Sequence, residues 1–232
     1  MHPTWALFLR VLLWTHIACG GVAFVCAPVA LLTAKGGRTH RRWGKIYFWA
    51  MAGVAATALV LSIALPIVFL ALVAVFSFYA AFSAYRILFL KNLPRGGHAR
   101  WFDWAAALVT FATSAGLAWV GYFRPRLVPG TGVIAIAFGV LGMLLAGRSL
   151  ATFLRPPEEK QFWWYLHMRG MIASYIAAVT AFVVVNLAPR FGNAWWVWLG
   201  PAIIGVPAMS IWQRYYQEKF RKKENTHRAS AV

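Results

Sequence analysis

The sequence contains few acidic residues and few cysteines. Its 232 residues include only 5 Asp and Glu, against 23 Lys and Arg, and only 2 Cys. Two cysteines cannot build the disulfide framework that stabilises a small secreted domain. Cys19 and Cys26 would also lie about 10 Å apart along one helix, which is too far for a disulfide bond.

The motifs of several common enzymes and transporters are also missing. There is no Gly-rich phosphate-binding loop and no His-Glu-x-x-His pair. The apolar segments hold no pair of carboxylates for general acid catalysis or proton-driven transport, and the last one has no lysine that could carry a retinal Schiff base. These absences count against an enzyme and against an ion-coupled transporter.

Apolar residues dominate the composition. They make up 61% of the chain, charged residues make up 12%, and the mean hydropathy is +0.64. These values predict an integral membrane protein. In a soluble protein the net charge of +18 would suggest nucleic-acid binding. Here the basic residues form short clusters between apolar runs, so we expect anionic lipid headgroups on the cytoplasmic side as partners, and no nucleic acid.

Seven segments have the length of about 20 apolar residues that a membrane-spanning helix needs. They are Leu7–Leu32, Ile46–Leu65, Pro66–Leu88, Trp101–Tyr122, Gly132–Leu154, Phe162–Leu187 and Trp195–Trp212. Proline disfavours helix at the residue before it, so a tight hairpin is expected at Leu65-Pro66. The sequence predicts an all-α bundle of seven transmembrane helices over residues 1–212. Residues 213–232 would form a basic cytoplasmic tail, either disordered or a frayed helix.

The distribution of basic residues predicts the orientation of the bundle. With the amino terminus outside and the carboxyl terminus in the cytoplasm, 19 of the 23 Lys and Arg fall on the cytoplasmic side. Cytoplasmic loops of membrane proteins carry such an excess of Lys and Arg. A wrong number of helices would move later loops to the other side and remove the excess. The four basic residues left outside are Arg10, Arg124, Arg126 and Arg190.

A His-x-Arg triplet recurs where the second, fourth and sixth helices begin. The triplets are His40-Arg41-Arg42, His98-Ala99-Arg100 and His167-Met168-Arg169. A helix amino terminus offers free N–H groups and a positive dipole end, and an arginine adds a forked donor. Each triplet could therefore hold an anion, such as a lipid phosphate or a cofactor carboxylate. The alternative is that basic loops contain such triplets without binding anything.

Histidines at matching depth on neighbouring helices can ligate a haem b. His40, His98 and His167 share the predicted cytoplasmic edge, and Met171 follows His167 by one helical turn. These residues offer ligands for one haem, and Arg42, Arg100 and Arg169 could bind its carboxylates. The paired histidines that a second haem would need are absent from the sequence.

Four further residues lie within the predicted spans. His16 lies about 25 Å from the inner end of the first helix, and with Cys19 it could hold a soft metal such as copper, although two ligands are too few. Packing and a hydrogen bond are the simpler interpretation. Arg148 lies six residues before the end of the fifth span and Asp103 lies in the first turn of the fourth. We expect these two charged groups to approach one another.

Two rows of residues at helical spacing predict how the helices pack. The third span carries an aromatic stripe, which could line a haem or quinone pocket but more often packs helices: Phe78, Phe82, Tyr85 and Phe89. The fifth span carries a stripe of small residues, which lets another helix approach closely: Ala135, Gly139, Gly142 and Ala146.

Part of the chain resembles a family of bacterial predicted membrane proteins. The resemblance rests on His16, Gly20, Lys35-Gly36, His40-Arg41, Gly44, Tyr47, His167 and Met171. The family carries a His-Arg-x-x-Gly-x-x-Tyr motif at the start of its second helix. The resemblance implies a helical bundle in a bacterial cytoplasmic (inner) membrane, and it marks His16, His40 and His167 without giving them roles.

Three functions remain open at this point. The first is a non-enzymatic bundle that binds a haem or another anionic apolar ligand at its cytoplasmic edge, with electron transfer as one role. The second is a transporter of small molecules or lipids with a cavity beside the seventh span, where Pro201 and Pro207 should kink the helix. The third is a structural or assembly protein without a ligand.

Overall fold

The protein is all-α wherever its structure is described. The computed structural model describes the backbone of residues 3–64, 68–128, 131–192 and 194–229, and the side chains of 3–64, 71–128, 131–192 and 194–222. Seven helices in these ranges are long and apolar enough to cross a membrane, and no strand occurs there. The prediction of an all-α protein with seven helices of membrane-spanning length and apolarity is confirmed for the described residues.

The helices follow the predicted segments closely. They are α1 Pro3–Leu32, α2 Arg38–Ala64, α3 Val68–Arg86, α4 Trp101–Phe123, α5 Gly132–Leu154, α6 Phe162–Phe191 and α7 Trp195–Ala229. Short 3₁₀ turns cover Ile87–Phe89, Leu93–Arg95 and Pro125–Leu127. The predicted hairpin at Leu65-Pro66 lies outside the described residues.

Helices α2 and α7 extend furthest beyond their predicted apolar segments. Helix α2 begins at Arg38, eight residues before the predicted span, because helices continue through the headgroup layers on either side of the hydrocarbon core. Helix α7 continues to Ala229 through the tail that was expected to be disordered or frayed. Residues 213–229 contain no proline or glycine to end it. Trp164 of α6 packs against Tyr216 and Phe220 of this extension, at 4.7 and 5.2 Å between ring centroids.

The helices pack as two rings with a shared wall. The first ring contains α1, α2, α3 and α6, and the second contains α3, α4, α5, α7 and α6. Helices α3 and α6 belong to both rings, so a residue on either helix can face one ring or the other.

Small residues determine how closely the helices approach. A Cβ atom at Gly139 of α5 would lie only 2.6 Å from the Ser114 carbonyl oxygen and the Ala118 amide nitrogen of α4. A Cβ atom at Gly170 of α6 would lie 2.6 Å from the Cβ of Ala84 on α3. The small-residue stripe of α5 therefore packs on α4 as predicted, and Gly170 brings the start of α6 against the end of α3.

One end of the bundle gathers the start of α2, α4 and α6 and the end of α1, α3 and α5, and we call it the basic end. Its loops cover residues 33–37, 87–100 and 155–161, and the carboxyl-terminal half of α7 begins beside them. It contains most of the residues that the sequence marks as candidates.

Candidate functional site at the basic end

Two of the three predicted histidines meet in the first ring. His40 lies in the first turn of α2 and His167 in the second turn of α6. Their ring centroids are 6.3 Å apart and their planes are inclined by 74°. Helices α2 and α6 are both neighbours of α1 and α3, so the histidines approach each other across the ring.

Each of these histidines donates a hydrogen bond to the end of another helix. His40 Nδ1 lies 2.9 Å from the carbonyl oxygen of Ala30 on α1, and His167 Nδ1 lies 2.8 Å from that of Ala84 on α3. A carbonyl only accepts, so each Nδ1 carries the proton and each neutral ring keeps Nε2 as an acceptor or ligand. Both carbonyls lie in the last turn of their helix, where regular intrahelical partners run out.

The end of α1 receives a second basic side chain. Lys35, in the loop before α2, donates to the Leu31 carbonyl oxygen and lies 5.3 Å from the centroid of the Trp212 ring on α7. Burial lowers the pKa of Lys35 from its usual value. The carboxyl end of α1 is thus capped by His40 and Lys35 together.

Two helical turns further along α2 and α6 from the histidine pair, two hydroxyl groups link the same two helices. The Tyr47 and Ser174 hydroxyl oxygens are 2.6 Å apart and buried. Tyr47 follows His40 by seven residues and Ser174 follows His167 by seven, which is two helical turns in each case. Met171 packs in the same apolar cluster as Tyr47. The sequence marked neither hydroxyl as a site residue, although the matching spacing of seven was a signal.

His98 does not join this pair. It is exposed in the loop before α4, and neither of the other two histidines contacts its ring. The predicted ring of three histidines is therefore reduced to a pair, because the 3₁₀ turn at Leu93–Arg95 and the loop after it keep His98 outside the helices.

Asp103 has a different partner from the one expected. The Nε and Nη2 atoms of Arg86 lie 2.7 and 2.9 Å from its two carboxylate oxygens, and the Arg100 backbone N–H donates to it at 3.0 Å. Arg148 forms no ion pair with Asp103 within 4 Å, but both residues line one small cavity. The expectation that these two charged groups approach one another stays a prediction. Arg86 ends α3 beside the start of α4, whereas Arg148 lies on an exposed face of α5.

A cavity of about 70 Å³ lies beside this ion pair in the second ring. We call it the arginine cavity, and its polar lining consists of Tyr79, Ser83, Arg86, Asp103, Arg148, Ser149, Thr152 and Arg169. Arg42 and Arg100 are exposed and do not line it. Residues two apart on a helix face opposite directions, so His167 enters the first ring and Arg169 the second. The triplet on α6 therefore does not form one anion site.

The aromatic stripe of α3 is divided between the two rings. Tyr85 stacks on Phe48 of α2 at 4.5 Å between centroids, and Phe78 also contacts Phe48. Phe89, in the 3₁₀ turn after α3, contacts Tyr85. Phe82 lines the arginine cavity instead. The stripe thus packs both rings together.

The deep candidates on α1 contact α2. His16 Nδ1 lies 2.9 Å from the Thr57 hydroxyl oxygen, and a Cβ atom at Gly53 would lie 2.8 Å from the sulfur of Cys19. The described residues include no group of three or more His, Cys, Asp or Glu side chains that could hold a metal ion. The geometry at His16 and Cys19 is that of helix packing.

An open groove of about 590 Å³ lies on the outer surface of α1 and α2. Its lining is apolar apart from Lys45 and Cys19, and Trp49 forms part of its wall. Neither His40 nor His167 lines this groove or the arginine cavity, and no residue of α7 lines either of them.

Comparison of the chain with known protein families, with curated proteins and with solved structures found no match.

Proposed function

We propose that the protein is a membrane-bound b-type cytochrome that holds one haem between His40 and His167 at the basic end. The observation that carries the proposal is the spacing of the two imidazole rings. A metal–imidazole bond is about 2 Å long and a ring centroid lies about 1.1 Å behind its nitrogen, so two imidazoles on opposite faces of one iron have centroids roughly 6 Å apart. The centroids of His40 and His167 are 6.3 Å apart.

The hydrogen bonds of the two histidines support the same proposal. Histidines that ligate a metal through one nitrogen usually donate the other N–H to a carboxylate or a backbone carbonyl, which holds the ring in place. Both Nδ1 atoms do so here, to Ala30 and Ala84. These hydrogen bonds favour the tautomer that ligation through Nε2 would require in both imidazoles.

The number of donors favours a haem over a bare ion. A structural zinc site takes four ligands from the protein, whereas a porphyrin supplies four of its own and needs only one or two from the chain. The described residues contain the histidine pair but no group of three ligating side chains. When bound, the haem would supply one-electron redox chemistry.

Basic residues near the pair could receive the carboxylates of a haem. Lys91 lies near His167, with its Nζ atom 3.9 Å from the centroid of the Trp163 ring. Arg41 and Arg42 are exposed in the same helical turn as His40. Of the arginines predicted for this purpose from the sequence, Arg100 and Arg169 belong to the second ring. Arg42 follows His40 by two residues and therefore lies on another, exposed side of α2.

The basic end of this cytochrome would face the cytoplasm of a bacterium, in its inner membrane. The excess of Lys and Arg at this end is what supports that orientation. The anionic headgroups of the inner leaflet would then surround the site.

The proposal is tested by the absorption spectrum of protein purified in detergent from cells supplied with a haem precursor. We expect a Soret band in the wild type and its loss in His40→Asn and in His167→Asn. Asparagine can still donate an N–H to the helix-end carbonyl but is a poor iron ligand, so the fold is retained. His98→Asn is the matched control and should keep the band. A spectrum without a Soret band in supplemented wild type would refute the proposal.

The alternative is a structural or assembly protein in which both histidines only cap helix ends. The same hydrogen bonds to Ala30 and Ala84 favour this alternative. It predicts that His40→Ala lowers the melting temperature, that His40→Asn restores it, and that neither change affects the absorption spectrum.

A further inference from the structure

We propose that the arginine cavity binds the phosphate group of an anionic membrane lipid. The cavity belongs to the second ring, so this site is separate from the histidine pair and does not depend on a bound haem. Four observations lead to it: the charge of the lining, the volume, the hydroxyl groups of Tyr79 and Ser149, and the exposure of Arg148.

The lining carries more positive than negative charge. Arg86, Arg148 and Arg169 face the cavity together with a single carboxylate, that of Asp103. Both oxygens of this carboxylate already accept from Arg86, and one also accepts from the Arg100 N–H. Arg148 and Arg169 therefore have no carboxylate within 4 Å among the described residues. Two arginines at the edge of a low-dielectric bundle favour the binding of an anion.

The cavity is large enough for a phosphate group. A cavity needs about 10 to 15 Å³ to hold one water, and this one measures about 70 Å³. It therefore has room for several waters, and a phosphate group, whose five heavy atoms are covalently bonded, fits within that space. A whole haem or an acyl chain does not fit inside it.

Two hydroxyl groups in the cavity are available to a ligand. The Tyr79 side chain is only 3% exposed and its hydroxyl lies near Ser149, but no hydrogen bond of regular geometry joins it to a described residue. The Ser149 hydroxyl makes only a long bond of 3.4 Å to the Leu145 carbonyl oxygen. A buried hydroxyl without a partner is uncommon in proteins. A phosphate oxygen would give both hydroxyls a charged acceptor.

The exposed face of α5 identifies the bilayer as the source of the phosphate. Leu141, Leu144, Arg148 and Ala151 are all exposed and recur at i, i+3, i+7 and i+10, so Arg148 continues an apolar stripe that faces lipid. It lies six residues from the end of α5, about 9 Å along the axis, within reach of the headgroup layer for a long side chain. A lipid headgroup can reach this face, whereas free phosphate would have to leave water.

The test measures binding of short-chain phosphatidylglycerol to purified protein in a neutral detergent, by thermal shift and by native mass spectrometry. Parallel titrations use short-chain phosphatidylcholine and inorganic phosphate. We expect saturable stabilisation by phosphatidylglycerol that exceeds the effect of the other two. One arginine near a membrane surface contributes roughly fivefold to anionic-lipid affinity, so the variant R148Q/R169Q should bind about 25-fold more weakly.

Control variants separate this site from general charge effects. R155Q/R214Q removes two exposed arginines at the same end that do not line the cavity, and it should bind like the wild type. Tyr79→Phe keeps every charge and should still weaken binding several-fold. Wild-type affinity in R148Q/R169Q would overturn the proposal. Stabilisation by inorganic phosphate equal to that by phosphatidylglycerol would also overturn it, because the ligand would then be a soluble anion.

Discussion

At the scale of the residue, the two nitrogens of one imidazole serve different neighbours. In His40 and His167 the Nδ1 proton satisfies a carbonyl at the end of another helix. The Nε2 atom of each neutral ring then carries no proton and remains a hydrogen-bond acceptor or a metal ligand. His16 uses the same nitrogen to contact Thr57 of α2, but no ring contact joins it to another histidine among the described residues. His40 and His167 are candidate ligands because each has a second imidazole ring nearby, whereas His16 serves as a packing residue.

The ion pair between Arg86 and Asp103 gives the first stability prediction. Asp103→Asn should lower the free energy of unfolding by about 3 to 5 kcal/mol, because it leaves the largely buried Arg86 without a counter-charge. Thermal or SDS-induced unfolding of the purified variant measures this loss. Arg148→Gln is the matched control, and its expected change is below about 0.5 kcal/mol.

Equal losses of unfolding free energy in Asp103→Asn and Arg148→Gln would contradict the pairing of Asp103 with Arg86. They would favour Arg148 as the partner of Asp103. A double-mutant cycle of Arg86→Gln with Asp103→Asn should show strong coupling, since the two side chains share two hydrogen bonds.

At the scale of the helix, α3 and α6 connect both candidate sites. The end of α3 supplies the Ala84 carbonyl to the first ring and Arg86 to the second. The start of α6 supplies His167 to one ring and Arg169 to the other. Gly170 keeps the two helices in close contact at this level. A change in their packing would therefore alter the histidine pair and the arginine cavity together.

Contact between α4 and α5 gives the second prediction. Gly139→Ala should destabilise the protein by about 1 to 3 kcal/mol, because the new Cβ would lie 2.6 Å from backbone atoms of Ser114 and Ala118. Gly147→Ala, on the same helix, is the control, since its Cβ would lie 3.7 Å from the Phe111 ring in ordinary contact. Melting temperatures of the two variants in one detergent give the comparison. If both variants melted like the wild type, α4 and α5 would not pack through the small-residue stripe.

At the scale of the whole molecule, an odd number of spans places the two termini on opposite sides of the membrane. The seven helices support that count, and the excess of Lys and Arg at the basic end predicts which side is cytoplasmic. We expect a cleavable tag at the amino terminus to be removed by protease added to spheroplasts. The same tag at the carboxyl terminus should be cleaved only after the membrane is permeabilised. Cleavage of both tags in intact spheroplasts would refute the count of seven.

The division into two rings explains how one end of the protein can hold two unlike sites. The histidine pair offers neutral nitrogen ligands in the first ring, and the arginine cavity offers positive charge in the second. The wall formed by α3 and α6 separates them. A lipid in the second ring would stabilise the packing that also holds the histidines in the first.

The sequence by itself determined the number and class of the elements. Apolar runs of about 20 residues have few structures open to them in a membrane, because every backbone polar group must be satisfied within the segment. The predicted span Gly132–Leu154 is the helix that forms, and the other spans differ at their ends, where the surroundings change from hydrocarbon to headgroups. The small-residue stripe of α5 could also be predicted from the sequence, since it depends only on residue spacing along one helix.

Only the tertiary structure decided which residues meet. Depth along each helix placed His40, His98 and His167 at one end, but rotation about the helix axes and the course of the loops brought two of them together and left His98 exposed. The same limit applies to Asp103, which binds Arg86 because α3 ends beside the start of α4. Sequence periodicity gives the face of a helix that is apolar, whereas the neighbour that this face meets depends on contacts between segments far apart in the chain.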